Sequence, residues 1–130
     1  MGMPQPAVVL IAEDEAPLAA LVAALVELAG HTPLVARNGA EALALARRHP
    51  PAVVVTDLMM PGLTGAALIA ALRADAATGG YPPPPVILMT ASGPTAARAA
   101  QADAVLLKPF ALAALEGLLQ RFLAPRYGLP

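Results

Sequence analysis

Lys108 is the only lysine of the chain, and it directly follows a short apolar run at residues 104–107. All other permanently cationic side chains are arginines. A lysine ammonium is a compact charge on a flexible stem, which suits it to contact a carboxylate or a phosphoryl oxygen. A lysine at the end of a strand also commonly reaches into solvent without a chemical role. Its meaning therefore depends on the groups that lie near it.

Three other apolar runs end in polar side chains that phosphoryl chemistry can use. These side chains are Glu13, Asp14 and Glu15 after the first run, Asp57 after the second and Thr90 after the third. Crowded carboxylates repel one another, which raises a pKa or recruits a cation, and Mg²⁺ prefers such oxygen ligands. A metal held by Asp14 and Asp57, with Glu13 acting through water, leaves room for a phosphoryl group. Thr90 can donate a hydrogen bond to that group and Lys108 can neutralise its charge.

Short apolar runs alternate with longer helical segments along the whole chain. The pattern predicts strands at residues 7–12, 33–36, 52–56, 86–89 and 104–107. It predicts helices at residues 17–29, from the cap Asn38 to residue 49, and at 66–75, 94–101 and 111–123. Buried strands linked by helices imply an α/β fold, with a parallel sheet covered by helices on both faces. Ligand sites in such sheets form at the carboxyl ends of the strands, where the polar groups named above are expected to meet.

Individual residues support the predicted helix boundaries. Gly30 is a stop signal for the first helix, and Asn38 is a good cap for the second because Glu41 follows three residues later. The proline-rich stretch at residues 78–85 is predicted to be a stiff surface loop, since it is too short for a domain linker.

The length and composition predict one cytoplasmic domain over residues 1–130, with a core at about 6–124 and a tail at 125–130. The net charge of −1 gives no basic surface for direct binding of nucleic acid or of an anionic membrane. The absence of cysteine excludes disulfides and thiolate chemistry. No signal peptide or membrane-spanning stretch is expected either.

Four motifs, in order and at matching spacing, resemble the receiver domains of two-component response regulators. Glu13-Asp14 is similar to the acidic pair of that family, and the segment Asp57 to Gly65 is similar to its phosphoacceptor loop. Thr90-Ala91 resembles its switch hydroxyl followed by a small residue, and Lys108-Pro109 resembles its lysine before a cis proline. The resemblance covers about residues 6–124. It implies a flavodoxin-like, doubly wound (βα)5 fold with strand order 2-1-3-4-5.

The resemblance further implies that Asp57 accepts a phosphoryl group from a partner histidine kinase or histidine phosphotransfer protein. Mg²⁺ would be bound by Asp14, Asp57 and the main-chain carbonyl of Met59, with Glu13 acting through water. Lys108 would pair with Asp57 or its phosphoryl group, and Thr90 would move toward a phosphoryl oxygen.

Such a protein is a signalling switch and not a turnover enzyme, although it catalyses its own phosphorylation and slow dephosphorylation. It would act on a downstream protein target through a changed surface. A homodimer through the last helix and the fifth strand is left open.

The chain departs from the family pattern at two positions. Val105 stands where the family usually has a tyrosine or phenylalanine, so the usual aromatic readout on that surface is in doubt. Gln101 stands where the family often has glycine. Met59, although no departure, is expected to flank the path of a hydrolytic water, and its bulky thioether is predicted to slow dephosphorylation.

Two other functions compete with the phosphoacceptor interpretation. One is a receiver-like protein-binding module that signals without phosphorylation, which Val105 favours and the intact Asp57, Thr90 and Lys108 disfavour. The other is a Mg²⁺-dependent phosphatase of similar fold. That class generally has a second acid two residues after its nucleophile, and here the position is Met59.

His31 and His49 lie at predicted helix ends, and neither is expected to relay a phosphoryl group.

Overall fold

Five short apolar strands form one parallel sheet in the order β2-β1-β3-β4-β5. The computed structural model describes residues 6–123, so the predicted tail at 125–130 lies outside the described residues. The strands are β1 Val8–Ala12, β2 Thr32–Ala36, β3 Val53–Asp57, β4 Val86–Thr90 and β5 Ala104–Leu107. The helices are α1 Ala16–Leu28, α2 Gly39–Arg48, α3 Gly65–Gly79, α4 Pro94–Ala100 and α5 Leu112–Phe122. The flavodoxin-like fold and strand order implied by the resemblance are confirmed.

The central strands are apolar on both faces because each face is covered by helices. Successive residues of a strand point to opposite faces, and the two apolar cores follow this alternation. Val54 packs in the core shared with α2 and α3, whereas Val53 and Val55 pack in the core shared with α1 and α5. The continuous apolar runs in the sequence thus fill two separate layers. Within residues 6–123, no helix combines the length and apolar character needed to cross a membrane.

Pro33 lies inside β2, an edge strand, where it removes no hydrogen bond from the sheet. The amide of its neighbour Thr32 donates to the carbonyl of Ala7, the residue before β1. Because alternate residues of a parallel strand direct their backbone groups to opposite sides, the nitrogen of Pro33 faces away from β1. A proline is tolerated at such an outward position of an edge strand.

The helix boundaries confirm most of the sequence signals and correct one of them. Asn38 caps α2 by accepting a hydrogen bond from the amide of Glu41 at 2.8 Å. The prediction that α3 ends at residue 75 was wrong, because α3 continues to Gly79 and terminates at Gly80 with a φ of 72°. Alanines 76 and 77 are strong helix formers, so the helix continues until a residue that readily adopts the left-handed conformation. Thr78 and Gly79 therefore belong to α3 and not to the proline-rich loop.

Gln101 adopts the left-handed conformation at the end of α4, with a φ of 58°. A side chain in this region costs roughly 1 kcal/mol relative to glycine. The carbonyl of Gln101 accepts a hydrogen bond from the guanidinium of Arg73 on α3, which helps to hold this turn. Gln101, which stands where the family often has glycine, thus adopts a backbone conformation that favours glycine.

Gly65, the first residue of α3, sets the close approach of that helix to the end of β3. A methyl group on Gly65 would lie 2.9 Å from the Cα of Leu58 and closer still to the carbonyl oxygen of Asp57. The amide of Gly65 donates to the carbonyl of Leu58 at 2.9 Å, and Thr64 caps the helix by accepting from the amide of Ala67. The loop after Asp57 is therefore held against the sheet by backbone contacts that leave no room for a side chain.

We expect Gly65→Ala to lower the free energy of unfolding by about 1–3 kcal/mol, because the new methyl group meets backbone atoms that cannot move independently. The matched control is Gly117→Ala in α5, where a methyl group would have no neighbour within 4 Å. That control is expected to stabilise the protein by up to about 1 kcal/mol, since alanine favours helix more than glycine does. Urea denaturation of both variants measures the difference. Equal stability of the two variants would contradict the close approach at Gly65.

Candidate functional site

Four strand ends bring their polar residues to the same edge of the sheet. Glu13 follows β1, Asp57 ends β3, Thr90 ends β4 and Lys108 follows β5. Glu13 and Thr90 are completely buried, Asp57 is nearly so, and Lys108 is half-buried. The structure thus brings these groups to one edge of the sheet, and the side chains of Glu13, Asp57 and Lys108 are in contact there.

Lys108 places its ammonium between two carboxylates. Its Nζ donates to Oδ2 of Asp57 at 3.1 Å and to Oε1 of Glu13 at 3.1 Å. The resemblance implied the contact with Asp57, but the contact with Glu13 was not predicted from the sequence. The peptide bond between Lys108 and Pro109 is cis, as the resemblance implied.

Glu13 is held by hydrogen bonds at both carboxylate oxygens. Oε1 accepts from the ammonium of Lys108, and Oε2 accepts from the amide of Glu15 at 3.0 Å. Burial raises the pKa of Glu13, and the nearby charge of Asp57 acts in the same direction, although the two hydrogen bonds oppose them.

The environment of Lys108 favours its charged form. Burial acts to lower the pKa of Lys108, but the hydrogen bonds to Glu13 and Asp57 outweigh this effect and raise it above the ordinary value. The ammonium therefore stays charged at neutral pH and offsets part of the negative charge of the site.

Asp57 receives a second hydrogen bond from the loop that follows it. The amide of Met59 donates to Oδ1 of Asp57 at 3.3 Å, while Oδ2 contacts Lys108. The two oxygens of this carboxylate therefore have different partners, and the carboxylate is held between the loop and β5. Only a small part of the Asp57 side chain reaches solvent, so a reagent has limited access to this group.

Thr90 lies beside the site and is fixed on both its side-chain and main-chain oxygens. Its Oγ1 accepts from the amide of Ser92 at 2.9 Å, and its carbonyl accepts from the amide of Lys108 at 2.8 Å. The hydroxyl thus links β4 to the loop that leads into α4, and the backbone links β4 to the residue that carries the ammonium.

Glu13, Asp14 and Asp57 form an acidic cluster suited to a divalent cation. The carboxylate oxygens that they offer lie within 4.8 Å of one another. Asp14 is exposed, so its carboxylate has room to adjust toward a cation, whereas Glu13 and Asp57 are held by their hydrogen bonds. Three carboxylates and one ammonium leave an excess of negative charge, which a divalent cation can neutralise. The residues present fit a Mg²⁺ ion.

The side chains singled out for their effect on the switch lie at the surface. Met59 has 62% of its surface exposed, and Val105 on β5 has 38% exposed. His31 and His49 follow the ends of α1 and α2, which agrees with their predicted place at helix ends. Nδ1 of His31 accepts a hydrogen bond from the amide of Ala7 before β1, and His49 ends α2 on the surface.

Comparison with known families identifies this arrangement. A family model described as the response regulator receiver domain matches residues 9–120. The chain belongs to the response regulator receiver domain family. The matched range of this receiver domain of two-component signalling includes the acidic cluster, the loop after Asp57, Thr90 and Lys108.

Individual relatives agree with this family. The receiver domain is 40% identical to protein PilH of Pseudomonas aeruginosa over 70 residues, which are 54% of this chain and 58% of that protein. The chain thus spans less than two thirds of that relative. The structure of the chemotaxis response regulator CheY4 of Vibrio cholerae is similar, with a TM-score of 0.78, 28% identity, and coverage of 91% of this chain and 99% of that one.

A further solved structure shows similarity of fold alone. It is the co-crystal structure of the histidine phosphotransfer protein Ypd1 and the receiver domain of Ssk1 from Saccharomyces cerevisiae. The TM-score is 0.82 at 23% identity, and the alignment covers 90% of this chain and 88% of that chain.

We expect Lys108→Met to lower the free energy of unfolding by about 3 kcal/mol or more at neutral pH without metal, because it leaves two buried carboxylates without their cation. Adding Glu13→Gln to that variant should recover much of the loss, since one buried charge is then removed. The loss in Lys108→Met should also shrink as the pH falls through the raised pKa of Glu13, since a protonated carboxyl needs no cation.

Urea denaturation of the wild type, both single variants and the double variant gives the coupling energy of the pair. Arg98→Met removes an exposed cation of α4 and serves as the control, with an expected change below about 0.5 kcal/mol. If Glu13→Gln changes the free energy of unfolding by the same amount with and without Lys108, the two groups do not interact.

Proposed function

We propose that this receiver domain accepts a phosphoryl group on Asp57 from a phosphohistidine of a partner protein, in a reaction that requires Mg²⁺. The observation that supports this proposal best is the ammonium of Lys108 at 3.1 Å from Oδ2 of Asp57, beside the carboxylates of Glu13 and Asp14. A nucleophilic carboxylate, a cation and an acidic cluster are the parts that phosphoryl transfer needs.

Asp14, Asp57 and the main-chain carbonyl of Met59 would hold the metal ion, with Glu13 acting through water. Glu13 suits that indirect role because it is completely buried, whereas Asp14 is exposed and Asp57 reaches solvent in part. The bound ion would neutralise the charge on the phosphoryl oxygens.

The transfer forms a bond between phosphorus and one carboxylate oxygen of Asp57, while the bond between phosphorus and the donor histidine nitrogen breaks. Lys108 stays close enough to contact a phosphoryl oxygen in place of the carboxylate oxygen that it contacts now. The amide of Met59 is held near Asp57 and can donate to the same group. These donors act without large movement, because β5 and the loop after β3 hold them in place.

Thr90 would carry the change to the surface. Its Oγ1 now accepts a hydrogen bond from the amide of Ser92. Turning the hydroxyl toward a phosphoryl oxygen removes this bond, so the loop before α4 must rearrange. Val105 and Leu107 lie on the same face of β5 and are both exposed. The readout would therefore use the loop and this apolar surface, without a rotating aromatic ring at position 105.

The partners follow from the proposed chemistry. The phosphoryl donor would be a sensor histidine kinase or a histidine phosphotransfer protein, and the co-crystal structure of Ypd1 with the Ssk1 receiver domain is an example of such a pair. A downstream protein would bind the surface that changes. We also predict a homodimer that forms through α5 and β5. A cytoplasmic location is a further prediction. The domain would act as a signalling switch that catalyses its own phosphorylation and slow dephosphorylation.

A phosphorylation-independent binding module remains the competing function, and Val105 is the observation that favours it. It is weaker because it assigns no role to the contacts that join Lys108, Glu13 and Asp57. A phosphatase is disfavoured because position 59 carries methionine where that class has a second acid.

Incubation with acetyl phosphate and Mg²⁺ is expected to add one labile phosphoryl group, detected as a mass increase that is lost in hydroxylamine. Asp57→Asn should abolish it, and chelation of the metal should prevent it. Asp75→Asn is the matched control. Asp75 on α3 forms an ion pair with Arg47 on α2 and takes no part in the contacts of Asp57. Labelling that persists in Asp57→Asn, or no labelling of the wild type, would favour the binding module. Phosphotransfer from a panel of histidine kinases would then identify the donor.

Met59→Asn is expected to shorten the lifetime of the phosphorylated state by about two- to tenfold. The amide side chain can hydrogen-bond and orient a water molecule near the phosphoryl group, whereas the thioether cannot. Loss of the phosphoryl group with time, measured by mass spectrometry, tests this expectation. Met60→Leu is the control, because Met60 is buried in the core and is hardly reached by water. An unchanged lifetime in Met59→Asn would count against the proposed effect of the thioether.

A further inference from the structure

Met59 differs from the neighbouring methionines in its exposure. Its exposed fraction is 62%, whereas that of Met60 is 7% and that of Met89 is 0%. Met60 and Met89 lie in the two cores on opposite faces of the sheet. Among the methionines within residues 6–123, Met59 is thus the one that a reagent dissolved in water reaches readily.

Thioethers are oxidised by peroxides. The sulfur gives an electron pair to one peroxide oxygen, the oxygen–oxygen bond breaks, and a sulfoxide and one water molecule are formed from hydrogen peroxide. The product is polar and can be reduced by methionine sulfoxide reductases, so the change is reversible. The chain contains no cysteine, so no thiol competes within the molecule for the oxidant.

The position of Met59 links this chemistry to the phosphoacceptor. Its amide donates to Oδ1 of Asp57 at 3.3 Å, so the backbone of the exposed methionine is anchored to the reacting carboxylate. The Cα of Met59, from which the side chain starts, is therefore held close to that carboxylate. A sulfoxide oxygen on Met59 would place a strong hydrogen-bond acceptor at the opening of the site.

We propose that Met59 is a redox-sensitive modification site whose oxidation by peroxide shortens the lifetime of the phosphoryl group on Asp57. The inference rests on the proposed phosphorylation of Asp57. The thioether presents an apolar surface to the water that attacks the phosphoryl group. The sulfoxide accepts a hydrogen bond from that water and orients it toward phosphorus.

The selectivity of oxidation is tested first, and it needs neither metal nor phosphorylation. The folded protein is treated with a limiting amount of hydrogen peroxide, the excess is removed with catalase, and the protein is digested with trypsin. Cleavage after arginine separates the methionines into peptides 1–37, 49–73 and 74–98, and fragmentation of the second distinguishes Met59 from Met60. Met59 should be oxidised at least about tenfold faster than Met60 and Met89, in line with their exposure. Equal rates at Met59 and Met60 would overturn the proposal.

The effect on lifetime is tested next with protein that was oxidised before phosphorylation by acetyl phosphate and Mg²⁺. The lifetime of the phosphorylated state should fall about threefold, the change in rate that one weak hydrogen bond gives. Treatment with methionine sulfoxide reductase should restore it. Met59→Leu should have the same lifetime with and without peroxide, and Met59→Gln, which carries a carbonyl acceptor, should behave like the oxidised wild type without any peroxide.

The outcomes separate this inference from the proposed function. A wild type that is phosphorylated normally but keeps its lifetime after verified oxidation at Met59 would overturn the present inference alone. A shortened lifetime that persists in peroxide-treated Met59→Leu would also overturn it, since another residue would then be responsible. Absence of any phosphorylation in the untreated protein would overturn the proposed function, and the lifetime effect with it.

Discussion

One ammonium shared by two buried carboxylates is the interaction on which the rest of the site depends. Glu13 and Asp57 lie on different strands and would repel each other in a region with little water. Lys108 holds them together from a third strand, at 3.1 Å from each. Glu13 and Asp57 are 95 and 51 residues away from Lys108 in the sequence. The arrangement therefore forms only when β1, β3 and β5 are all in place. The folded sheet and the reactive site are therefore formed together.

The backbone around Asp57 gives this charge arrangement its rigidity. Gly65 allows α3 to begin against the end of β3, and Gly39 allows the start of α2 to pack closely on Leu63 in the same loop. At both glycines, a side chain would collide with neighbouring atoms, which are backbone atoms of Asp57 and Leu58 at Gly65 and atoms of Leu63 at Gly39. By contrast, Thr90 is held by a single side-chain hydrogen bond to the following loop. The carboxylate of Asp57 is thus fixed by two partners, whereas the hydroxyl of Thr90 has one partner to exchange, a difference suited to a two-state element.

The sequence was sufficient for the fold because several independent signals agreed. The apolar runs gave the strands, and Asn38 and Gly30 marked helix ends that the structure confirms. The order of motifs that end in Asp57 and Lys108 identified the site, since parallel strands bring their carboxyl ends to one edge. The contact of Lys108 with Glu13 could not be read in the same way, because it depends on side-chain direction and not on strand position. Adjacent residues 59 and 60 are both methionine, and only the structure shows that one is exposed and the other buried. The length of α3 was underestimated because helix propensity across Ala76 and Ala77 outweighed the nearby glycines.

Pro33 has a consequence for how copies of this sheet can associate. The outer margin of β2 lacks one amide donor at Pro33, so an incoming strand could not form a continuous ladder there. β5, at the opposite margin, has no proline among its residues. Strand addition would accordingly be confined to one side of each molecule. When copies can pair through the β5 edge alone, association stops at a dimer. Pairing through both edges of the sheet would instead allow open filaments to form.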